Sequence, residues 1–109
     1  MNSVVRFADK NIQKAFFDLE KGDFSEKQLF KIINQALENI ENNVFCGIQI
    51  PKRIIPKEYE KKFGVKNLWK YDLPRGWRLV YSILDGAPIV VSLVLEWFSH
   101  KEYERRFKY

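Results

Sequence analysis

The sequence predicts an α+β fold in which an N-terminal strand and an α-helical hairpin pack on an antiparallel β-meander followed by a short helix. Apolar residues recur at helical spacing between residues 12 and 44, which indicates two amphipathic helices. Between residues 68 and 97 they alternate with a period of two or run continuously, which is typical of strands. A chain of 109 residues can bury a core of its own, and we expect residues 1–109 to form a single domain.

The N-terminal segment is predicted to form one strand and one helix. Residues 3–7 include two valines and a phenylalanine, which favour a strand. Asp9 can cap the helix that follows, and Gly22 can end it. The apolar positions of this helix share one face: Ile12, Ala15, Phe16 and Leu19.

A second helix is predicted to begin at Ser25. Gln28 lies three residues later, so the two side chains can form a capping box, and Phe24 is expected to pack on Leu29 as a hydrophobic staple. The apolar stripe of this helix continues for about five turns, through Leu29, Ile32, Ile33, Ala36, Leu37, Ile40 and Val44. Because the link between the two helices is short, we expect them to pack as an antiparallel hairpin.

Residues 45–66 give a mixed pattern that glycine and proline interrupt. One short helix is predicted at Lys57–Phe63, because Pro56 suits its start and Gly64 its end.

A β-hairpin is predicted for residues 68–83, with Pro74-Arg75-Gly76 as a three-residue loop in which Gly76 takes the left-handed conformation. This loop places Asp72 opposite Arg78 and puts Lys70 on the same face as both. The other face is aromatic and apolar, with Trp69, Tyr71, Trp77, Leu79, Tyr81 and Ile83. The helical hairpin is expected to cover the aromatic face and to leave the basic, mixed face partly open.

The third strand of the meander is predicted at residues 89–97, which are almost continuously apolar and should lie centrally in the sheet. Its alternation places Ser92 and Glu96 on the mixed face with Lys70 and Arg78, provided that the loop around residues 85–87 has an odd number of residues. We expect Glu96 to pair there with Arg78 or Lys101.

A last short helix is predicted at residues 101–107, with Ser99 as its cap. This helix carries an aromatic residue, Tyr103, and two consecutive arginines, Arg105 and Arg106.

The net charge of +5 is unevenly distributed along the chain. Residues 1–43 hold six Lys or Arg and seven Asp or Glu, whereas residues 51–78 hold nine and three, and residues 99–109 hold four and two. A nearly neutral helical half and a basic C-terminal half indicate a surface that faces a polyanion. The alternative is a lysine-rich surface that only keeps the protein soluble.

Cysteine content and hydropathy predict a cytoplasmic protein without metal or cofactor. The single Cys46 cannot form an intramolecular disulfide and is expected to be a small core residue. No pair of cysteines or histidines has the spacing of a zinc site. The uncharged run at residues 86–95 is too short to cross a membrane, and the first six residues lack the features of a signal peptide.

Two local patterns resemble the RelE/ParE toxin superfamily of type II toxin-antitoxin systems. The first is Leu-Trp-Lys-Tyr-Asp-Leu at residues 68–73, which runs into Gly-Trp-Arg-Leu-Val-Tyr at residues 76–81. The second is His-Lys-Glu-Tyr at residues 100–103. In its RelE-like branch, the resemblance implies a metal-free endoribonuclease that enters the ribosome and cleaves mRNA through attack of the ribose 2′-hydroxyl. It also implies a cognate antitoxin, together with the ribosome and mRNA, as partners.

The resemblance also implies roles for individual residues. Lys70 and Arg78 match basic catalytic positions on the exposed sheet face, His100 or Lys101 lies where a second catalytic basic residue is usual, and Tyr103 matches an aromatic hydroxyl near the cleaved bond. Five basic residues are expected to contact nucleic acid: Lys66, Arg75, Lys101, Arg105 and Arg106.

The chain departs from the ribonuclease pattern at two positions. Asp72 stands where these ribonucleases tend to carry a lysine, and the His100-Lys101 pair replaces a second arginine. Because a carboxylate beside Arg78 weakens the positive field on a phosphate, two alternatives stay open. One is a ParE-like toxin that inhibits DNA gyrase without cleaving RNA, and the other is a catalytically inactive homologue that binds RNA or a protein.

Overall fold

A five-stranded mixed sheet with helices on both faces forms the fold. The computed structural model describes residues 2–86 and 89–107. The strands are β1 (Asn2–Phe7), β2 (Ile48–Gln49), β3 (Trp69–Asp72), β4 (Arg78–Gly86) and β5 (Ile89–Phe98). The helices are α1 (Lys10–Glu20), α2 (Phe24–Asn42), α3 (Lys57–Phe63) and α4 (His100–Phe107), and 3-10 turns lie at Lys52–Ile54 and Pro74–Gly76. The α+β class predicted from the sequence is confirmed.

The strand order in the sheet is β1-β5-β4-β3-β2. Strands β3, β4 and β5 form the predicted antiparallel meander, and β5 lies inside the sheet as expected. Two features were not predicted. β1 pairs in parallel with β5, and the two-residue strand β2 pairs with β3 at the opposite edge.

The helix boundaries follow the capping residues. The Asp9 carboxylate accepts a hydrogen bond from the Ile12 amide at 2.9 Å and caps α1 as predicted. The cap of α2 is Asp23, which forms a capping box with Glu26, so the predicted start at Ser25 is wrong. Phe24 is the first residue of α2 and is 74% exposed, which also rules out the expected staple. This helix ends at Asn42, two residues before Val44.

The two later helices are close to their predicted positions. Helix α3 spans the predicted residues, and Gly64 ends it in the left-handed conformation, with φ of 69°. Helix α4 begins at His100, one residue before the predicted start. Ser99 precedes it, and its carbonyl accepts a hydrogen bond from the Tyr103 amide at 2.9 Å.

The β3–β4 hairpin has the predicted register. Asp72 pairs with Arg78, and the Leu73 amide donates to the Trp77 carbonyl at 2.8 Å. Both Arg75 and Gly76 have positive φ, at 64° and 80°, whereas only Gly76 was expected to. The loop therefore holds a non-glycine residue in the left-handed conformation, which costs on the order of 1 kcal/mol.

A β-bulge decides which side chains of β5 share a face with those of β4. The register shifts between Val80, which pairs with Glu96, and Tyr81, which pairs with Val94. Glu96 therefore lies on the mixed face as predicted, but Ser92 pairs with Ile83 and lies on the aromatic face, contrary to the prediction. The expected odd loop is also wrong, because Gly86 pairs with Ile89 and leaves two residues between them. Residues 87 and 88 lie outside the described residues.

Helices α1 and α2 cover the aromatic face of the sheet, as predicted. Phe16 of α1 and Leu29, Ile33, Ala36 and Ile40 of α2 form a buried cluster with sheet residues. The sheet residues in this cluster are Leu79, Tyr81 and Val94, and Leu73 of the hairpin loop joins them. Half-buried aromatic residues, among them Trp69, Tyr71, Trp77 and Trp97, pack around them.

The mixed face is covered over its centre, so the prediction of an open face is wrong there. Val80, Leu95 and Phe98 point to this side and form a second buried cluster with Tyr59 of α3 and with Tyr103 and Phe107 of α4, joined by Ile50, Val65 and Leu68. Burying one such large apolar side chain is worth about 1.5–3 kcal/mol, which explains why α3 and α4 pack on this face. The basic residues lie at the hairpin end of the face.

Cys46 is exposed, so its expected place in the core is wrong. It lies in the loop after α2, where the neighbouring Val44 and Gly47 contact Tyr81 of β4. The buried Tyr81 hydroxyl donates to the Val44 carbonyl at 2.8 Å and accepts from the Gly47 amide at 3.1 Å. None of the helices in the described part of the chain is long and apolar enough to cross a membrane.

We expect Asn67→Ala to lower the free energy of unfolding by about 2 kcal/mol. The Asn67 side chain continues the β3–β4 ladder, since its amide donates to the Ile83 carbonyl at 2.9 Å and its oxygen accepts from the Ile83 amide at 2.9 Å. That oxygen also accepts from the buried Ser82 hydroxyl at 3.1 Å. Alanine leaves these groups unpaired. Urea unfolding measures the loss, with the exposed Asn34→Ala on α2 as the control. Equal losses in both variants would contradict this role.

Candidate functional site

The β3–β4 hairpin and helix α4 bring together four side chains whose role or pairing was predicted from the sequence. Lys70 and Asp72 lie two residues apart on β3, and the register places Arg78 opposite Asp72. Arg78 is also paired with Phe98, the last residue of β5 before α4 begins. For this reason α4 starts beside Arg78, and Tyr103 in the first turns of α4 lies next to the Arg78 guanidinium. We call Lys70, Asp72, Arg78 and Tyr103 the Asp72 cluster.

One carboxylate oxygen joins the two cations of the Asp72 cluster. Asp72 Oδ1 accepts a hydrogen bond from Lys70 Nζ at 2.9 Å. The same oxygen lies 2.9 Å from Arg78 Nε, as an ion pair in which the N–H is not aligned for a hydrogen bond. The side chains of Lys70 and Arg78 are 16% and 17% exposed, and that of Asp72 is 48% exposed. Two cations and one carboxylate leave the cluster with one excess positive charge.

The backbone of the hairpin loop fixes the Arg78 guanidinium. Its Nη1 donates to the Gly76 carbonyl at 2.7 Å and to the Trp77 carbonyl at 3.2 Å. With Asp72 at Nε, the planar group is held from two sides. A guanidinium that is fixed in advance loses little conformational entropy when it binds an anion.

Tyr103 supports both cations from the side of α4. Its ring centroid lies 5.8 Å from Lys70 Nζ and 5.7 Å from the centre of the Arg78 guanidinium, within the range of cation–π attraction. The ring also stacks on Phe107 at 4.6 Å, and Tyr103 is 3% exposed. The structure thus places Tyr103 in the core beside the cations rather than on the surface.

His100 lies next to the Asp72 cluster but belongs to a different set of contacts. It pairs with Glu104 one turn later on α4, and its Cβ would be 3.1 Å from a Cβ added to Gly76. It therefore sits beside the loop residue whose carbonyl binds Arg78. The His100 side chain is 56% exposed and so is accessible to a ligand at the hairpin end. Lys101 is exposed on the adjacent side of the helix.

The residues expected to contact nucleic acid do not form one continuous surface. Lys66 is exposed ahead of β3. Arg75, at the hairpin tip, lines a groove on the aromatic side with Leu29 and Trp77. Lys101 lies two residues before Tyr103 of the Asp72 cluster. Arg105 pairs with Glu102 at 3.0 Å, and Arg106 lies 3.6 Å from Glu96 and 5.3 Å from the Phe98 ring.

Glu96 takes part in a second polar group that the sequence did not reveal. Its Oε2 accepts a hydrogen bond from the Tyr59 hydroxyl at 2.7 Å and lies near Arg106, so the expected pairing with Arg78 or Lys101 is wrong. Burial, together with the hydrogen bond and the negative charge of Glu96, raises the pKa of Tyr59 above its ordinary value of 10.0. Tyr59 comes from α3, and no pattern in the sequence links α3 with β5.

We expect the protein to lose stability above about pH 10, where an ordinary tyrosine ionises. Burial raises the pKa of both Tyr59 and Tyr81, so in this range the unfolded chain releases their protons before the folded chain does. The folded state then binds more protons, and the free energy of unfolding falls by about 1.4 kcal/mol per pH unit for each tyrosine. Their contribution is complete below pH 10. Urea unfolding at several pH values measures the slope. Tyr59→Phe should make the slope shallower, and an unchanged slope would contradict the argument.

No group of three or more His, Cys, Asp or Glu side chains within residues 2–86 and 89–107 is arranged to hold a metal ion. Comparisons of the chain with protein-family models, with curated proteins and with solved structures find no match. The resemblance to the RelE/ParE superfamily stays a prediction from the residues quoted above.

Proposed function

We propose that this protein is a RelE-like toxin, a ribosome-dependent endoribonuclease that cleaves mRNA in the cytoplasm and is neutralised by a cognate antitoxin. One observation carries the proposal. Lys70 Nζ and Arg78 Nε lie 2.9 Å from the same oxygen of Asp72, so one anionic oxygen, such as that of a phosphate, can contact both cations. The carboxylate stands in for the phosphate of the substrate.

The proposed reaction takes place within the RNA chain and is assisted by groups in this part of the protein. The ribose 2′-oxygen attacks the adjacent phosphorus, the bond from phosphorus to the 5′-oxygen breaks, and the products are a 2′,3′-cyclic phosphate and a 5′-hydroxyl. Lys70 and Arg78 stabilise the negative charge that grows on the phosphate. A base takes the 2′-proton and an acid protonates the leaving 5′-oxygen. His100 or Lys101 supplies one of these proton transfers, and Asp72 or a water molecule supplies the other. Tyr103 holds the two cations in position.

The order of elements also supports the proposal. A first strand, a helical hairpin, a three-stranded meander and a C-terminal helix follow one another in the chain, which is the order that the resemblance implies. The antitoxin is expected to cover the hairpin end of the mixed face, where the Asp72 cluster and His100 are located.

A cleavage assay with the purified protein tests the proposal. The protein is added to a translating extract with a defined mRNA, and cut sites are mapped by primer extension. We expect cuts that require the ribosome and leave 5′-hydroxyl ends, whereas the same mRNA without ribosomes stays intact. If the mRNA stays intact both with and without ribosomes, the proposed ribonuclease function is wrong.

The second candidate function is a ParE-like toxin that inhibits DNA gyrase. It is favoured by the ion pairs that Asp72 forms with both cations and by the small exposure of Lys70 and Arg78, which fit a structural role for these residues. A supercoiling assay with purified gyrase separates the candidates, because inhibition without mRNA cleavage supports only the second. A protein inactive in both assays would match the third alternative, a homologue that binds without catalysis.

A further inference from the structure

A groove of about 750 Å³ lies between α4 and the segment that leads into α3. Four cations line it: Arg53 and Lys57 on one wall, and Arg105 and Arg106 on the other. Two carboxylates, Glu58 and Glu102, line it as well, so the groove has an excess of two positive charges. Of these residues, only Arg105 and Arg106 carry an expected role, and none belongs to the Asp72 cluster.

Each wall of the groove carries one excess positive charge, and the two walls differ in whether their cations are paired. Glu102 binds Arg105 at 3.0 Å, and Glu96 lies 3.6 Å from Arg106, so both arginines on α4 have acidic partners. Arg53 and Lys57 are exposed and form no ion pair with the other described residues. Their charges are therefore available to an anionic ligand.

The groove and the Asp72 cluster flank the same short helix. Tyr103 belongs to the cluster and contacts its two cations, whereas Glu102, Arg105 and Arg106 face the groove. Helix α4 has eight residues and is therefore about 12 Å long. A flexible polyanion bound at the cluster can reach the groove by passing around this helix.

We propose that the groove binds the phosphate backbone of single-stranded RNA that flanks the phosphate held at the Asp72 cluster. The inference rests on the proposed function and extends it with a second, sequence-independent contact. Single-stranded RNA fits because the groove offers separated cations along an open channel. The one aromatic side chain in the lining, Phe107, is 2% exposed and cannot stack on a base. Recognition then depends on charge alone, and affinity falls steeply with salt.

A binding experiment with matched charge reversals tests the inference. The probe is a fluorescent single-stranded RNA in which every 2′-hydroxyl is methylated, so that it cannot be cleaved, and affinity is measured by anisotropy at several salt concentrations. The test variant is R53E/K57E. The control is K21E/K27E, which changes the net charge equally at two exposed positions beside the turn between α1 and α2. A second test variant, R53A/K57A, avoids new charges, and circular dichroism verifies the fold of each.

We expect R53E/K57E to bind at least about tenfold more weakly than the natural chain, and the slope of log affinity against log salt to fall by about 1.4, which is 0.7 for each lost phosphate contact. The control should change affinity by less than about twofold, as expected for charges far from the ligand. The proposed RNA site is wrong if both variants lose RNA affinity equally, if neither loses affinity, or if the natural chain does not bind the RNA.

The cleavage assay distinguishes a failure of the groove proposal from a failure of the proposed function. If cleavage depends on the ribosome but R53E/K57E leaves the RNA affinity unchanged, the proposed RNA site in the groove is wrong and the ribonuclease function is supported. Groove-dependent binding without cleavage would support the RNA site and reject the ribonuclease.

Discussion

Replacing Arg78 with alanine is expected to reduce ribosome-dependent mRNA cleavage by about 100-fold to 1000-fold, which corresponds to about 3–4 kcal/mol of lost transition-state stabilisation. Arg78 is the cation that the structure fixes most firmly, through two backbone carbonyls and Asp72. A fixed charge needs no rearrangement when negative charge grows on the phosphate. Expression of the variant should no longer arrest growth. Single-turnover cleavage on purified ribosomes measures the effect directly.

The fold should survive this change. Arg78→Ala leaves the Asp72–Arg78 backbone pairing in place, and Asp72 keeps Lys70 as its partner. We expect a stability loss of about 1–2 kcal/mol from the unpaired carbonyls, which urea unfolding can measure. Arg6→Ala is the matched control, because Arg6 is exposed on β1 at the far edge of the sheet. Arg78→Lys should recover part of the activity if charge is what matters. Full toxicity of the alanine variant would remove Arg78 from the mechanism.

Local patterns predicted the parts of the fold that depend on neighbours in sequence. The hairpin register followed from the three loop residues Pro74, Arg75 and Gly76. Helix α3 followed from Pro56 and Gly64 at its ends. The start of α2 was missed because two capping boxes overlap in the sequence. Both Asp23 with Glu26 and Ser25 with Gln28 have the correct spacing, and only the structure shows that the first is used.

Contacts between distant segments were beyond the reach of these patterns. No residue of β1 indicates that it pairs in parallel with β5, and β2 is too short to show alternation. The bulge opposite Val80 and Tyr81 changes the side of Ser92 without any proline or glycine as a signal.

The candidate site was predictable only as far as the hairpin extends. Its register gave the proximity of Lys70, Asp72 and Arg78, but the contact with Tyr103 depends on the direction that α4 takes after Phe98. The sequence did contain a signal that helices cover the mixed face. Val80 is an apolar residue that the hairpin register places opposite Lys70 on the basic side, and apolar side chains on a sheet face need a covering layer.

Asp72→Asn is expected to tighten the binding of non-cleavable single-stranded RNA by about tenfold, or 1.4 kcal/mol. The carboxylate neutralises Lys70 and Arg78 and must leave them when a phosphate enters. Asparagine has nearly the same shape without the charge. Two unit charges about 4 Å apart interact by about 4 kcal/mol at an effective dielectric constant of 20. Because Asp72 is 48% exposed, solvent and salt reduce this figure, and a tenfold effect is the realistic expectation.

The effect of Asp72→Asn on cleavage tells what the carboxylate does. If Asp72 only competes with the phosphate, cleavage at low substrate concentration rises together with affinity. If Asp72 takes the 2′-proton, affinity rises while the rate of the chemical step falls by at least about 100-fold. Asp18→Asn is the matched control, because Asp18 also pairs with a lysine, Lys14 at 2.7 Å, but on α1. Weaker RNA binding by Asp72→Asn than by the control would mean that the Asp72 carboxylate positions Lys70 and Arg78 and does not compete with a phosphate for them. The phosphate site proposed at the Asp72 cluster would then be wrong.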